Sequence, residues 1–229
     1  MKKKSNLSNI DWEEFYKNEN PWGFDGIRGD LIRIKIINDC FKEKNFKNGI
    51  DIACGEGYLL NKLNFIRSKS GVDISKTAIN RAKKTYPNIK FYVGNPFLEF
   101  KINEKFEFVS CFEALYYPSS LKERKKALKK LIQYGSKNAT YAFSVVTIGK
   151  NKHRNYFTRS SFLKLLSENF RTLKIVPITA NYRIPFFQRI LIKLLFFLRK
   201  KYAINLSTRF VRNAKREEIY QELFICKKL

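Results

Sequence analysis

Asp51-Ile52-Ala53-Cys54-Gly55-Glu56-Gly57-Tyr58, followed by Gly71-Val72-Asp73, decides the fold. Residues 49–53 read as a strand entering a glycine pair, and the apolar stretch 58–66 reads as the helix that leaves it. Strand, glycine turn, helix and a second strand ending in an acid make a nucleoside-binding βαβ unit. Glycines let backbone approach a ligand where a side chain would clash. Asp73 follows Asp51 by 22 residues, the position from which a carboxylate accepts hydrogen bonds from two ribose hydroxyls.

The same block argues against a dinucleotide. The third glycine of G-x-G-x-x-G packs a helix beneath a pyrophosphate, and Leu60 stands in its place here. Asp51 precedes the loop, where it would repel a pyrophosphate and would suit a ligand carrying an ammonium group, as S-adenosylmethionine does. The block resembles motif I of the class I methyltransferases, D/E-x-G-x-G-x-G, with Ala53 at the first glycine. The resemblance spans about residues 49–147. It implies that Asp51, Ala53, Cys54, Gly55 and Gly57 line the methionine and ribose part of S-adenosylmethionine. Asp73 would hold the ribose, Ile74 would lie against adenine, and Phe97 would pack on the purine. It also places Cys111, at the end of the fourth strand, around the cofactor. Asn95 stands where the family often has an aspartate that accepts from the adenine amino group, and an amide oxygen can do the same. A plain Asn95-Pro96 turn is the other reading.

Downstream, elements alternate. Ser75 caps a helix to residue 86, with strands at 89–93 and 106–112. Ser119 or Ser120 caps a lysine-rich helix that stops at Gly135, and a strand follows at 140–147. Thr158 caps a helix to residue 170, and the last strands fall at 172–177 and 220–226. With the first two strands this predicts an α/β doubly wound, mostly parallel seven-stranded sheet in one domain, with ligands at the strands' carboxyl ends. Residues 1–47 form an N-terminal lid and helix, 48–178 the cofactor-binding core, 179–218 an insert and 219–229 the last strand.

Composition bounds the rest. A chain of 229 residues with 44% hydrophobic content suits one globular domain. The four cysteines, Cys40, Cys54, Cys111 and Cys226, share no metal-type spacing, which implies buried thiols in a reducing cytoplasm and no metal site. The lysines at 2–4 are followed by no apolar core of a secretory signal. The net charge of +26 partly reflects a composition rich in Lys, Asn, Ile and Phe, yet no acid occurs between Glu168 and Glu217. Such a field attracts nucleic acid, anionic lipid or phosphorylated glycan carriers. Within it, residues 186–198 are apolar apart from Gln188, Arg189 and Lys193, too few to span a bilayer, and are followed by Arg199-Lys200-Lys201. A helix packed on the domain, an in-plane helix on an anionic membrane (residues 186–201), and a dimer interface are the three readings.

Three residues are candidates for the chemistry. Glu113 follows the fourth strand and would orient an amine acceptor or take its proton; bonding to backbone at the strand end is the alternative. Tyr117, with Tyr116, would wall the acceptor pocket. His153, the sole histidine, sits in a basic loop after the fifth strand, where a titrating group serves catalysis or is a surface side chain. A narrower resemblance joins Asn20-Pro21-Trp22-Gly23-Phe24 and Glu113-Ala-Leu-Tyr-Tyr117 to the nodulation protein S-like methyltransferases, which N-methylate an amino sugar. It implies that Trp22 belongs to a lid over the cofactor, and that the acceptor is a saccharide, small or lipid-linked. The expected function is methyl transfer to a sugar amino or hydroxyl group. RNA methylation is the second reading, favoured by charge but lacking an N-P-P-Y block for a flipped base. A non-catalytic binding subunit is the third.

Overall fold

A computed structural model describes residues 10–22, 28–147, 156–180, 194, 195 and 197–229. Along the chain come α1 (Trp12–Phe15), α2 (Arg28–Cys40), β1 (Phe46–Ile52), α3 (Tyr58–Asn61), β2 (Ile66–Asp73), α4 (Lys76–Thr85) and β3 (Lys90–Val93). Then follow β4 (Phe106–Phe112), α5 (Leu121–Ile132), β5 (Gly135–Val146), α6 (Arg159–Leu166), β6 (Phe170–Ala180), α7 (Lys200–Arg212) and β7 (Ile219–Lys228). The strands form one sheet in the order β3-β2-β1-β4-β5-β7-β6, parallel except that β7 runs antiparallel to both its neighbours.

Alternation along the strands builds two cores. Ile50, Ile52, Val109, Cys111, Tyr141, Phe143 and Phe224 pack on one face, beneath Leu128 and Leu131 of α5 and Phe162 and Leu166 of α6. Phe108, Phe112, Ala142, Leu223 and Ile225 face the other way, beneath Ile36 and Ile37 of α2, Leu60 of α3, Ile79 of α4 and Val211 of α7. Caps set the helix starts: Ser75 accepts from Ala78 N–H, and Ser120 and Glu123 form a reciprocal capping box. Glu222 of β7, fully buried, ion-pairs with Arg159 and Arg216 and accepts the Thr147 hydroxyl at 2.6 Å. That network ties the end of β5 and the start of α6 to β7.

The expected sheet is present, with several element ends shifted and one helix added. The helix expected over 58–66 ends at Asn61, and β2 begins at Ile66 rather than Ser70. Asn38 of α2 explains this: its side chain donates to Lys62 C=O at 2.9 Å and accepts from Asn64 N–H at 2.8 Å, closing the turn early. Helix α7 was not expected at all. It is amphipathic, with small and partly polar residues, Ala203, Ser207, Thr208 and Val211, at its buried positions. It packs on α2 and β6, and Arg212 pairs with Asp39 of α2 at 2.8 Å. Of the apolar segment 186–198, residues 186–193 and 196 lie outside the described residues. No helix among the described residues is long and apolar enough to cross a membrane, and no group of His, Cys, Asp and Glu among them suits a metal.

Candidate active site

The carboxyl ends of β1, β2 and β4 open onto a cavity of about 830 Å³, which the N-terminal segment covers. That volume is in the upper range for a small-molecule site, enough for a nucleoside cofactor and part of an acceptor. The turn after β1 has three left-handed residues, Ala53 (φ 60), Gly55 (φ 54) and Gly57 (φ 76). Alanine holds a strained conformation at the position where the resembled motif has glycine, a cost of about 1 kcal/mol.

The two later glycines serve packing. A Cβ on Gly55 would lie 2.5 Å from the Tyr16 hydroxyl, and one on Gly57 would lie 2.6 Å from the Phe91 ring. The space at Gly55 is therefore used by the chain's own Tyr16, and Gly57 does not line the cavity. Cys111 is likewise away from it, fully buried in the core beneath α5, where the alternation of β4 turns it from the Asp51 side of the sheet. The cofactor assignment of Gly57 and Cys111 rests on the motif resemblance alone. Asp51, Ala53, Cys54, Gly55, Asp73, Ile74, Asn95, Phe97, Glu113, Tyr117 and Trp22 all line the cavity. His153 lies outside the described residues.

Asp73 stands at the end of β2 with one oxygen accepting Gly55 N–H at 2.8 Å and the other accepting Ser75 N–H at 3.0 Å. Those bonds fix the carboxylate and leave each oxygen a further lone pair. Burial raises its pKa, opposed by the same backbone donors. Asp51 accepts the Ser110 hydroxyl at 2.7 Å. Burial pushes its carboxyl up to about 7; Asp73 adds to the rise, while Ser110 and Arg33 oppose it. Burial also pushes the Cys54 thiol well up, which makes it a neutral wall and no nucleophile. Asn95 Oδ1 accepts Phe97 N–H at 3.1 Å, so the turn reading holds, and one lone pair remains for an adenine amino group. Ile74 and Leu98, both about half exposed, supply apolar surface for a purine.

Sequence reading missed Arg33 and Tyr16. Arg33 lines the cavity from α2, its side chain only 9% exposed, paired with Asp30 at 2.7 Å. Its Nε is buried without a hydrogen-bond partner, and its charge acts on both Asp51 and Glu113. An unpaired buried donor beside Asp51 fits the carboxylate of an amino acid whose ammonium group Asp51 holds. The residues present thus fit S-adenosylmethionine: Asp51 and Arg33 for its amino-acid end, Asp73 for ribose, and Ile74, Asn95, Phe97 and Leu98 for adenine.

Tyr16 belongs to a latched lid. Glu13 accepts the Ser75 hydroxyl at 3.0 Å and the N–H groups of Lys76 and Thr77 at 2.5 and 3.2 Å, capping α4 from outside. Arg81 of α4 returns the contact, donating to the carbonyls of Lys17 and Asn18. Trp22 donates to the Tyr16 hydroxyl at 3.0 Å, and Trp12 meets Tyr117 edge-on with ring centroids 4.6 Å apart. Trp12, Tyr16 and Trp22 of this segment stand on the cavity wall.

Glu113 has left-handed backbone (φ 58), an uncommon and strained state for a non-glycine residue. Its N–H donates to Ser144 C=O at 2.9 Å, and its carboxylate accepts Ser144 Oγ at 2.8 Å and Tyr116 OH at 3.3 Å. Burial raises its pKa, against Arg33 and these hydroxyls. Its charge reaches four phenols, those of Tyr116, Tyr117, Tyr156 and Tyr220, all on the cavity wall. Tyr116 packs against Tyr117 and Tyr156, at 4.8 and 5.3 Å between centroids. Arg124 of α5 holds this segment in place by donating to the carbonyls of Tyr116 and Pro118. The arrangement is a basic carboxylate inside an aromatic chamber.

Residues 43–207 match a family described as a methyltransferase domain. The N-methyltransferase NodS from Bradyrhizobium japonicum WM9, solved with S-adenosyl-L-homocysteine, is similar at a TM-score of 0.69 and 15% identity, over 98% of this chain and 99% of that one. An S-adenosylmethionine-dependent methyltransferase from Clostridium acetobutylicum ATCC 824 is similar at a TM-score of 0.61 and 13% identity, over 94% and 98%. The plantazolicin methyltransferase BamL is similar at 0.64 and 14%, over 97% and 96%. At such identities these likenesses establish the fold. A search of curated protein sequences finds no match.

Proposed function

Since this chain belongs to the methyltransferase-domain family, as a methyltransferase that uses S-adenosylmethionine, we propose that its acceptor is the amino group of a saccharide. The observation that carries this reading is Glu113, a buried carboxylate of raised pKa among Tyr116, Tyr117, Tyr156 and Tyr220. Aromatic walls suit both an ammonium group, through cation–π attraction, and the apolar faces of a sugar ring. A hydroxyl acceptor would use the aromatic walls but gain less from a carboxylate that first binds a cation.

The cofactor, when bound, supplies an electrophilic methyl group on a sulfonium. Glu113 accepts the proton that a sugar ammonium must lose before its nitrogen has a free lone pair. The raised pKa makes Glu113 a stronger base than an ordinary carboxylate, and Ser144 and Tyr116 fix where its oxygens stand. Tyr117 and Trp12, locked edge-on, close the acceptor end against the lid and help exclude water. Aligning acceptor and methyl is the larger part of the task, and the latched lid serves it.

Cofactor affinity is expected to follow the ionisation of Asp51. Its carboxyl titrates near 7 in the free protein and must be ionised to hold an ammonium group, so binding tightens as pH rises through that value. Between pH 5.5 and 7.5 the dissociation constant for S-adenosylmethionine should fall about twentyfold by calorimetry. Asp51→Asn should bind weakly with a flattened profile; a steep profile persisting in that variant removes Asp51 from the linkage.

The acceptor class is tested with tritiated-methyl cofactor and separate pools of lipid-linked glycans, soluble amino sugars, peptides and RNA. Label in either sugar pool is expected. Label confined to peptide or RNA contradicts the saccharide reading, and RNA alone would give the basic surface a nucleic-acid role.

A further inference from the structure

Gln221 of β7 lines the cavity beside Tyr220. It pairs with Val146 across the β5–β7 ladder and with Thr179 across the β6–β7 ladder. On the β6 side the ladder is irregular: the register shifts on both sides of Thr179, which alone keeps step with Gln221. Irregularities of this kind re-aim side chains, and they are frequent beside active sites. Here the result is a hydrogen bond from the Thr179 hydroxyl to Gln221 Oε1 at 3.0 Å.

That bond decides which end of the amide meets Glu113. With Oε1 taken by Thr179, Nε2 is the end that serves the Glu113 carboxylate, which accepts a side-chain hydrogen bond from Gln221. A carboxylate can only accept, so both contacts demand the same orientation of the amide. The register explains the reach. Ser144 and Val146 of β5 share a face of the sheet, as do their partners Leu223 and Gln221 of β7. Gln221 therefore stands on the face of Ser144, whose hydroxyl holds Glu113 at 2.8 Å.

Three donors thus converge on one carboxylate: Ser144 Oγ, Tyr116 OH and Gln221 Nε2. Of its roughly four lone pairs, one is left for an N–H of the acceptor. We propose that Gln221, steered by Thr179, is a positioning residue for Glu113, its amide fixing the carboxylate so that one oxygen lone pair is presented to the acceptor nitrogen. This role rests on that of Glu113 as the base and adds what aims it. The amide also favours the ionised carboxylate, because a donated hydrogen bond stabilises the charged form. The other titratable groups within reach of that charge are Arg33 of α2, Cys111 of β4, Tyr116 and Tyr117 after β4, Tyr156 before α6 and Tyr220 of β7.

Carbon-13 NMR of the full chain, labelled at the glutamate side-chain carboxyls, tests the role without any acceptor. The Glu113 resonance is the one missing from Glu113→Gln. Its titration midpoint should rise by about one pH unit in Gln221→Leu, since a donor to the charged form has been removed. Thr179→Val, which frees the amide to turn, should move the midpoint the same way by a smaller amount. Thr179→Ser keeps the hydroxyl and should restore the native midpoint. With an amine-bearing oligosaccharide as acceptor, the rising limb of kcat should move with the midpoint in each variant. An unmoved midpoint in Gln221→Leu overturns the positioning role, as does a Thr179→Ser variant that behaves like Thr179→Val. If the midpoints move as expected but Glu113→Gln retains the native kcat limb, the fault lies in the reading of Glu113 as the base, and positioning falls with it.

Discussion

Glu113→Gln is expected to lower kcat about 10²–10⁴-fold, the range for removing a positioned general base, with the cofactor dissociation constant changed less than about threefold. Glutamine keeps an acceptor oxygen for one of the Ser144 and Tyr116 hydroxyls and can donate its amide N–H to the other, so the side chain keeps its place. The left-handed backbone is unaffected, since glutamine bears it no worse than glutamate. What disappears is the negative charge that binds the ammonium and the basicity that takes its proton. In the native enzyme kcat should rise with pH through a pKa above the ordinary carboxylate range, because the base works ionised and burial raises its pKa. The variant should lose that rising limb. Equal losses in turnover and cofactor binding, or a retained pH limb, would take Glu113 out of the proton transfer and leave it a structural role at the end of β4.

Asp73→Ala has the second large effect, on the other substrate. Two hydrogen bonds from ribose hydroxyls to a buried carboxylate, at about 1.5–3 kcal/mol each, put the expected loss of S-adenosylmethionine affinity at about 10²–10⁴-fold. The same carboxylate accepts the N–H groups of Gly55 and Ser75, so alanine also orphans two backbone donors and should lower unfolding stability by about 1–3 kcal/mol. Asp73→Asn separates the two roles. It keeps an oxygen for one of the two backbone N–H groups and orphans the other, so it should lose about 1 kcal/mol of stability, less than alanine, while binding the cofactor at least about tenfold more weakly. Native affinity in the asparagine variant would refute the ribose assignment.

The parts of the fold legible in the sequence are those written by local chemistry. Asp51, the glycine pair and Asp73 mark the first βαβ unit, and Ser75, Ser120 and Thr158 mark helix starts at which each side chain accepts the expected backbone donor. What was illegible depends on partners distant in the chain. The early end of α3 is set by Asn38 from α2, and no pattern within residues 58–66 encodes it. Helix α7 is amphipathic, but small and hydroxyl-bearing residues rather than large apolar ones fill its contact with α2, a partner far off in the chain.

The same division runs through the site. Residues next to the glycine motif could be placed from it, whereas Arg33 sits in a helix that reads as an ordinary amphipathic segment. Only its orphaned Nε, visible once the chain is folded, marks it as a ligand-facing cation. Tyr16 was equally hidden, because its approach to Gly55 depends on the lid fastened by Glu13 and Arg81. At Gly57 and Cys111 the structure shows packing against Phe91 and in the core beneath α5, which the motif alone does not reveal.

Methyl transfer from tritiated S-adenosylmethionine to matched oligosaccharides, one set with a free terminal amine and the other fully N-acetylated, probes the acceptor atom directly. Glu113 among its four tyrosines predicts label in the free-amine set, as an N-methyl group, and none above background in the acetylated set. Equal labelling of the two sets would mean hydroxyl methylation, and with it the amine acceptor, and the role of Glu113 in binding and deprotonating an ammonium group, would fall.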